Sequence, residues 1–150
     1  MPDPAKQAWL IVQRLENWRA TKKLAYSKLG FADWMKAWAG KMVVGDSIFL
    51  YVASNKSVVA AHLRVSSKPF RESVGHWDEP FPIRVRTELV VGLDETTWLP
   101  VREILQDLSI TKGKENWGQC FRRPIRLLTA EDADLLHQRM VARLPTPPAP

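Results

Sequence analysis

The residues of this chain that could do chemistry are few, and their spacing limits what that chemistry is. Three histidines, His62, His76 and His137, stand far apart in sequence, and Cys120 is the single cysteine. The chain contains no Gly-x-Ser-x-Gly, no His-Glu-x-x-His and no phosphate-cradling glycine loop, so no local motif for acyl transfer, zinc hydrolysis or nucleotide binding is present. One cysteine rules out an intrachain disulfide and a multi-cysteine zinc site, and neither a metal nor a cofactor is expected. Tryptophan is the enriched type, with seven. A flat ring held between aromatic faces gains about 1–3 kcal/mol per stack, so an aromatic pocket is the chemistry this composition suits best.

Trp77 is the first candidate for such a pocket. It sits in the polar stretch Lys68 to Pro80, where two prolines and a glycine break every periodicity and a core role is less natural. Asp78 and Glu79 beside it can accept hydrogen bonds from an exocyclic amine; the alternative is a tryptophan that merely anchors the loop. Lys68, Arg71, Arg84, Arg86, Arg122, Arg123 and Arg126 are candidate phosphate contacts, with a solvated charged face as the alternative. The balance of 22 basic and 16 acidic residues, a formal net charge of +6, favours anionic partners.

The elements that must position these residues can be read from pattern. At 150 residues, 45% hydrophobic and 25% charged, the chain fits one globular domain, expected over 8–144, with a flexible N-terminus over 1–7 and a disordered proline-rich tail over 145–150. Ala8 to Leu15, with Trp9-Leu10-Ile11-Val12, predicts a buried strand, and Asn17 caps a helix from Trp18 to Leu24 that ends near Tyr26 to Gly30. Phe31, Trp34, Met35, Trp38 and Met42 recur at helical spacing and predict a second helix. Gly45-Asp46 predicts a turn, Ser47 to Ala53 a doubly buried strand, Ser54 to Lys56 a bend, and Ser57 to Ser66 its hairpin partner. Phe81 to Val91 alternates, with Ile83, Val85, Thr87, Leu89 and Val91 on one face and Arg84, Arg86 and Glu88 on the other. Pro100 opens a short helix carrying Val101, Ile104, Leu105 and Leu108, Lys112 to Lys114 form a solvent loop, and the sheet resumes over Cys120 to Leu128. Thr129 caps a last helix containing Leu135, Leu136, Met140 and Val141. The N-terminus lacks a leader pattern and no run reaches membrane-spanning length, so a cytoplasmic protein with no membrane partner is expected.

Read together, Leu15-Glu16-Asn17-Trp18, Val44-Gly45-Asp46 ahead of Ile48-Phe49-Leu50-Tyr51-Val52, Val65 to Phe70, Phe81-Pro82-Ile83-Arg84-Val85, Asn116-Trp117-Gly118 and Thr129-Ala130-Glu131-Asp132 occur in an order that resembles the EVE domain family. That family belongs to the PUA-like superfamily with the YTH readers of methylated adenine, and the match runs from about Ala8 to Met140. The resemblance implies an α+β fold, a curved mixed β-sheet or barrel with flanking helices, and a pocket for a modified base flipped out of DNA or RNA. It adds Asn17 and Trp18 to the pocket candidates, with helix capping and core packing as their alternatives. Where YTH-type readers place a cage tryptophan this chain has Leu29-Gly30-Phe31, so a cage must draw its aromatic faces from Phe31, Trp34 or Trp77. Trp9, Trp38 and Trp98 are expected to be structural.

Three function classes follow. The first is a non-catalytic module that binds nucleic acid and encloses a modified, methylated base. The second is an enzyme like the related ASCH domains, whose Gly-x-Lys-x-x-Glu-x-Arg pattern is absent here. The third is an interaction module in which Phe31, Trp34 and Trp38 form an apolar patch for a homodimer or a partner enzyme.

Overall fold

The computed structural model describes residues 6–53 and 57–145. The expected N-terminal arm, the bend at Ser54 to Lys56 and the tail fall mostly outside the described residues. Strand β1 (Ala8–Gln13) leads into helix α1 (Leu15–Lys23), then β2 (Lys28–Phe31), a 3₁₀ turn at Asp33–Met35 and the one-turn helix α2 (Lys36–Ala39). Strands β3 (Ser47–Val52), β4 (Val58–Val65), the short β5 (Phe70–Arg71) and the long β6 (Ile83–Gly92) follow. The two-residue β7 (Leu99–Pro100), 3₁₀ turns at Val101–Ile104 and Trp117–Phe121, β8 (Ile125–Leu128) and helix α3 (Ala130–Val141) complete the chain. The sheet runs β2-β6-β4-β3-β1-β8, with β5 added on β6 and β7 on β4. Only β1 and β3 pair in parallel among the described strands. This is the α+β, PUA-like curved mixed sheet with flanking helices that the resemblance implies.

The central strands are apolar on both faces because both faces are covered: Ile48 to Val52 are all buried, as are Trp9, Leu10 and Ile11 beside them. Thr129 caps α3 as expected, its Oγ1 accepting from Asp132 N at 3.1 Å. The Gly45-Asp46 turn is also as expected, with Gly45 at φ +98°. Asp46 then does more than turn the chain. Its carboxylate, fully buried at 0% exposure, accepts from Gln7 N at 2.9 Å, Trp9 Nε1 at 3.0 Å and Val43 N at 3.0 Å. It thereby ties the start of β1 to the turn ahead of β3.

Several expectations are corrected. The first strand stops at Gln13, because Leu15 already begins α1. Arg14 is the N-cap of α1 and no side chain caps it; Asn17 lies within the helix, buried. The helix ends at Lys23 because Ala25 and Tyr26 adopt left-handed backbone, φ 54° and 56°, and reverse the chain into β2. The helical stripe from Phe31 to Met42 is divided: Phe31 ends a strand, and in the following 3₁₀ turn Trp34 projects to solvent at 71% exposure. Along β6 a bulge opposite His62 and Leu63 inserts Val90 and breaks the alternation, leaving Leu89 exposed. Arg84, assigned to the polar face, is buried at 2% exposure. Pro100 belongs to a strand, its following helix is a 3₁₀ turn, and Cys120 lies in a second 3₁₀ turn ahead of β8.

Replacing the Asp46 carboxylate leaves buried N–H groups unpaired, so Asp46→Ala is expected to cost about 3 kcal/mol of stability. Urea denaturation of the variant beside wild type checks this, and a change below about 0.5 kcal/mol would remove Asp46 from the account.

Candidate nucleic-acid interface

Where β1 runs into α1 and faces the end of β2, the surface opens into a cleft of about 150 Å³. Four of the residues expected around a base, Asn17, Gly30, Phe31 and Trp34, line it together. Gln13, Arg14, Glu79, Phe81 and Pro124 also contribute, with Ile11, Val12, Ala32 and Met35 supplying apolar wall. β2 brings Gly30 and Phe31, the 3₁₀ turn lifts Trp34 to the side, and the end of β1 brings Gln13 and Arg14.

The remaining pocket candidates lie elsewhere. Trp77 is buried behind the cleft: its Nε1 donates to Thr21 Oγ1 at 3.0 Å, and its ring packs on Phe81 at 5.9 Å between centroids. It occupies the space a side chain at Gly30 would need, since a Cβ there would sit 2.6 Å from the Trp77 ring and 2.7 Å from Phe81 Cβ. Gly30 has no unusual backbone angle, so its lack of a side chain serves this close approach. Trp18 is buried edge-on against Trp98 at 5.0 Å, and Leu29 is buried in the core. Asp78 is exposed, and its backbone N–H donates to Asn17 Oδ1 at 3.3 Å. Its neighbour Glu79 reaches the cleft instead and pairs with Arg14 at 2.9 Å.

The phosphate candidates divide as well. Arg84 is held by the loop it supports, donating to Phe81 O at 3.0 Å, to Glu72 and to Val74 O, with its guanidinium 5.1 Å from the centre of the Trp77 ring. It is not available to a phosphate. Glu72 also takes Lys28 Nζ at 2.8 Å, and the bonds from Lys28 and Arg84 hold its carboxyl below the usual range. Arg71 is exposed and ion-paired with Asp33. Lys68, Arg86, Arg122 and Arg123 are exposed. Arg123 immediately precedes Pro124 of the cleft wall in sequence, while its side chain lines a separate hollow with Trp38, Gln119 and Arg126. Arg126 donates to Cys120 O at 3.0 Å.

Sequence reasoning missed Gln13 and Arg14, which carry no local signal, and it missed a contact between distant histidines. His62 Nδ1 lies 3.0 Å from His137 Nδ1 and its Nε2 lies 3.0 Å from Ser47 Oγ, while its ring stacks on Phe49 at 4.3 Å. Burial first, then the charges of His137 and Arg64, push His62 down to about 4. The cleft wall includes none of Ser47, His62 and His137. Among the described residues no group of three or more His, Cys, Asp or Glu side chains could hold a metal ion.

No family model matches the chain, and no curated protein matches it in sequence. Solved structures do match across nearly its whole length, and they share its PUA-like fold. A hypothetical protein from Leishmania major superposes with a TM-score of 0.64 at 15% identity, over 93% of this chain and 98% of that one. The YTH domain of Zygosaccharomyces rouxii MRB1 protein, solved in complex with N6-methyladenosine RNA, gives 0.63 at 16% identity, over 93% and 90%. Human THYN1 protein, solved in complex with DNA containing 5-methylcytosine, gives 0.59 at 14% identity, over 95% and 100%.

Two outcomes follow. Gly30→Ala must displace the Trp77 ring or Phe81, so it is expected to lose about 1–3 kcal/mol, with altered tryptophan emission reporting the displacement. Acid should also weaken the fold through His62. Its pKa is lower folded than unfolded, so its contribution is complete above about 6.5 and is lost as pH falls toward 4, up to about 3 kcal/mol in all. Chemical denaturation at pH 7 and pH 5 should show the loss, and His62→Asn should flatten it.

Proposed function

We propose that this protein is a non-catalytic nucleic-acid-binding module of the EVE type that encloses one modified, methylated base of DNA or RNA. The observation that carries the reading is the cleft itself, assembled from Asn17, Gly30, Phe31 and Trp34. Its volume of about 150 Å³ is below the roughly 300–1,000 Å³ of ordinary small-molecule pockets and suits one flat ring system. Trp34, 71% exposed at the side of this cleft, offers the free aromatic face that a flipped base requires. The neighbouring structures with methylated DNA and methylated RNA, on the same fold, support the same assignment. Basic residues, Arg122 and Arg123 in particular, hold the backbone in a salt-dependent way. A methyl group on the base adds apolar contact with the cleft wall.

The interaction-module alternative loses its patch. Of Phe31, Trp34 and Trp38, Phe31 is buried and Trp38 packs edge-on against Trp9 at 6.3 Å under Lys41, which leaves Trp34 as the exposed aromatic.

The test is titration of matched DNA and RNA oligonucleotides carrying unmodified cytosine, 5-methylcytosine or N6-methyladenine at fixed moderate salt, followed by tryptophan fluorescence. One modified strand is expected to bind preferentially. Trp34→Ala should weaken it by one lost stack, about 1–3 kcal/mol or roughly 5- to 150-fold, without changing oligomeric state. Equal weak binding of all strands, abolished by salt, would reject the reading.

A further inference from the structure

Gln13 closes β1 in the wall of the cleft, and at 7% exposure it is one of the few buried polar side chains there. One end of its amide is fixed. The Thr21 hydroxyl has a single hydrogen and two lone pairs. That hydrogen goes to Asn17 O at 2.9 Å, while Trp77 Nε1 donates to the oxygen at 3.0 Å. The one remaining place on Thr21 therefore accepts a donor, and Gln13 Nε2 fills it at 3.0 Å. Turning the amide over would make the hydroxyl donate to Gln13 and give up its bond to Asn17 O. The hydrogen-bond chain thus favours the orientation in which the atom of Gln13 left over is Oε1, buried and without a partner among the described residues.

A buried carbonyl without a donor is costly in a folded protein, and such groups are rare. Here the unpaired oxygen belongs to a residue lining the candidate cleft. We propose that Gln13 Oε1 is the specificity-determining acceptor of the site, and that it selects a base carrying an exocyclic amine over a base of the uracil or thymine type. An exocyclic N–H projects from the ring and can reach a recessed oxygen. The ring N–H of a uracil-type base is flanked by two carbonyls, and docking it would press those oxygens toward Oε1. Thr21 acts as a positioning residue, since the flipped orientation that would reverse the selection costs its bond to Asn17 O.

This inference rests on the base-reading assignment, so its test separates the two. Single strands are compared in pairs that exchange amine for carbonyl: 5-methylcytosine against thymine, which carries the same methyl group, and cytosine against uracil. An abasic strand measures backbone binding. Wild type is expected to bind the amine member of its preferred pair about tenfold or more tightly. Gln13→Met, close in shape and lacking the oxygen, should bring that ratio near one. Wild type that binds a base above the abasic strand yet treats amine and carbonyl alike would overturn the inference and leave the reading intact. So would a ratio that survives Gln13→Met in folded protein. Failure of every base to exceed the abasic strand would instead reject the reading and the inference with it. Should Gln13→Met not fold, N4,N4-dimethylcytosine offered to wild type removes the donor from the ligand side. Binding equal to 5-methylcytosine would overturn the inference, and an approximately tenfold loss would support it.

Discussion

One hydroxyl, that of Thr21, joins three of the segments around the cleft. It accepts from Gln13 at the end of β1 and from Trp77 in the long loop, and donates to Asn17 O in its own helix. All three of its hydrogen-bonding positions are filled and the site is buried, so each partner limits the freedom of the others. The loop cannot move Trp77 without breaking a buried bond, and β1 cannot shift against α1. A cleft bounded by a loop and a strand end is thus given the rigidity of a core.

Trp77 is the second member of that arrangement. Its ring takes the volume vacated at Gly30, and Arg84 lies over it while donating to Phe81 O and Val74 O on either side of it in sequence. Burying a guanidinium is expensive unless its donors are used, and here two loop carbonyls and Glu72 use them. The stretch from Glu72 to Phe81 is therefore an ordered wall rather than a hanging flap, and Glu79 is delivered from it to the cleft.

How much of this was legible depended on the range of the forces involved. Strand alternation and doubly apolar runs act locally, and β1, β3, β4 and most of β6 were read correctly from them. The Thr129 cap and the Gly45-Asp46 turn are local as well. Asn17, Gly30, Phe31 and Trp34, which line the cleft, were four of the eight pocket candidates, while Trp77, ranked first among them, is buried behind it, and Trp34 was placed on a helical stripe that the structure replaces with a strand end and a 3₁₀ turn. Arg84 was misread because strand periodicity assigns faces and cannot see that a loop folds over one of them. Gln13, Arg14 and the contact between His62 and His137 depend on partners from 8 to 75 residues away in sequence, and no local pattern announces them.

The charge of +6 shows the same difference between composition and placement. Many of the cations near the cleft are already committed: Arg14 to Glu79, Arg71 to Asp33, and Lys28 and Arg84 to Glu72. Each such pair contributes little long-range field. Among the described residues Lys68, Arg86, Arg122 and Arg123 form no ion pair, and the last two adjoin the cleft wall through Pro124. The unpaired positive charge nearest the cleft wall in sequence is therefore at the turn into β8. Glu79 of the cleft wall is itself paired with Arg14, so the two together add little net charge there. The field at the cleft is therefore set by which cations are left unpaired and where they stand, and only weakly by the total charge.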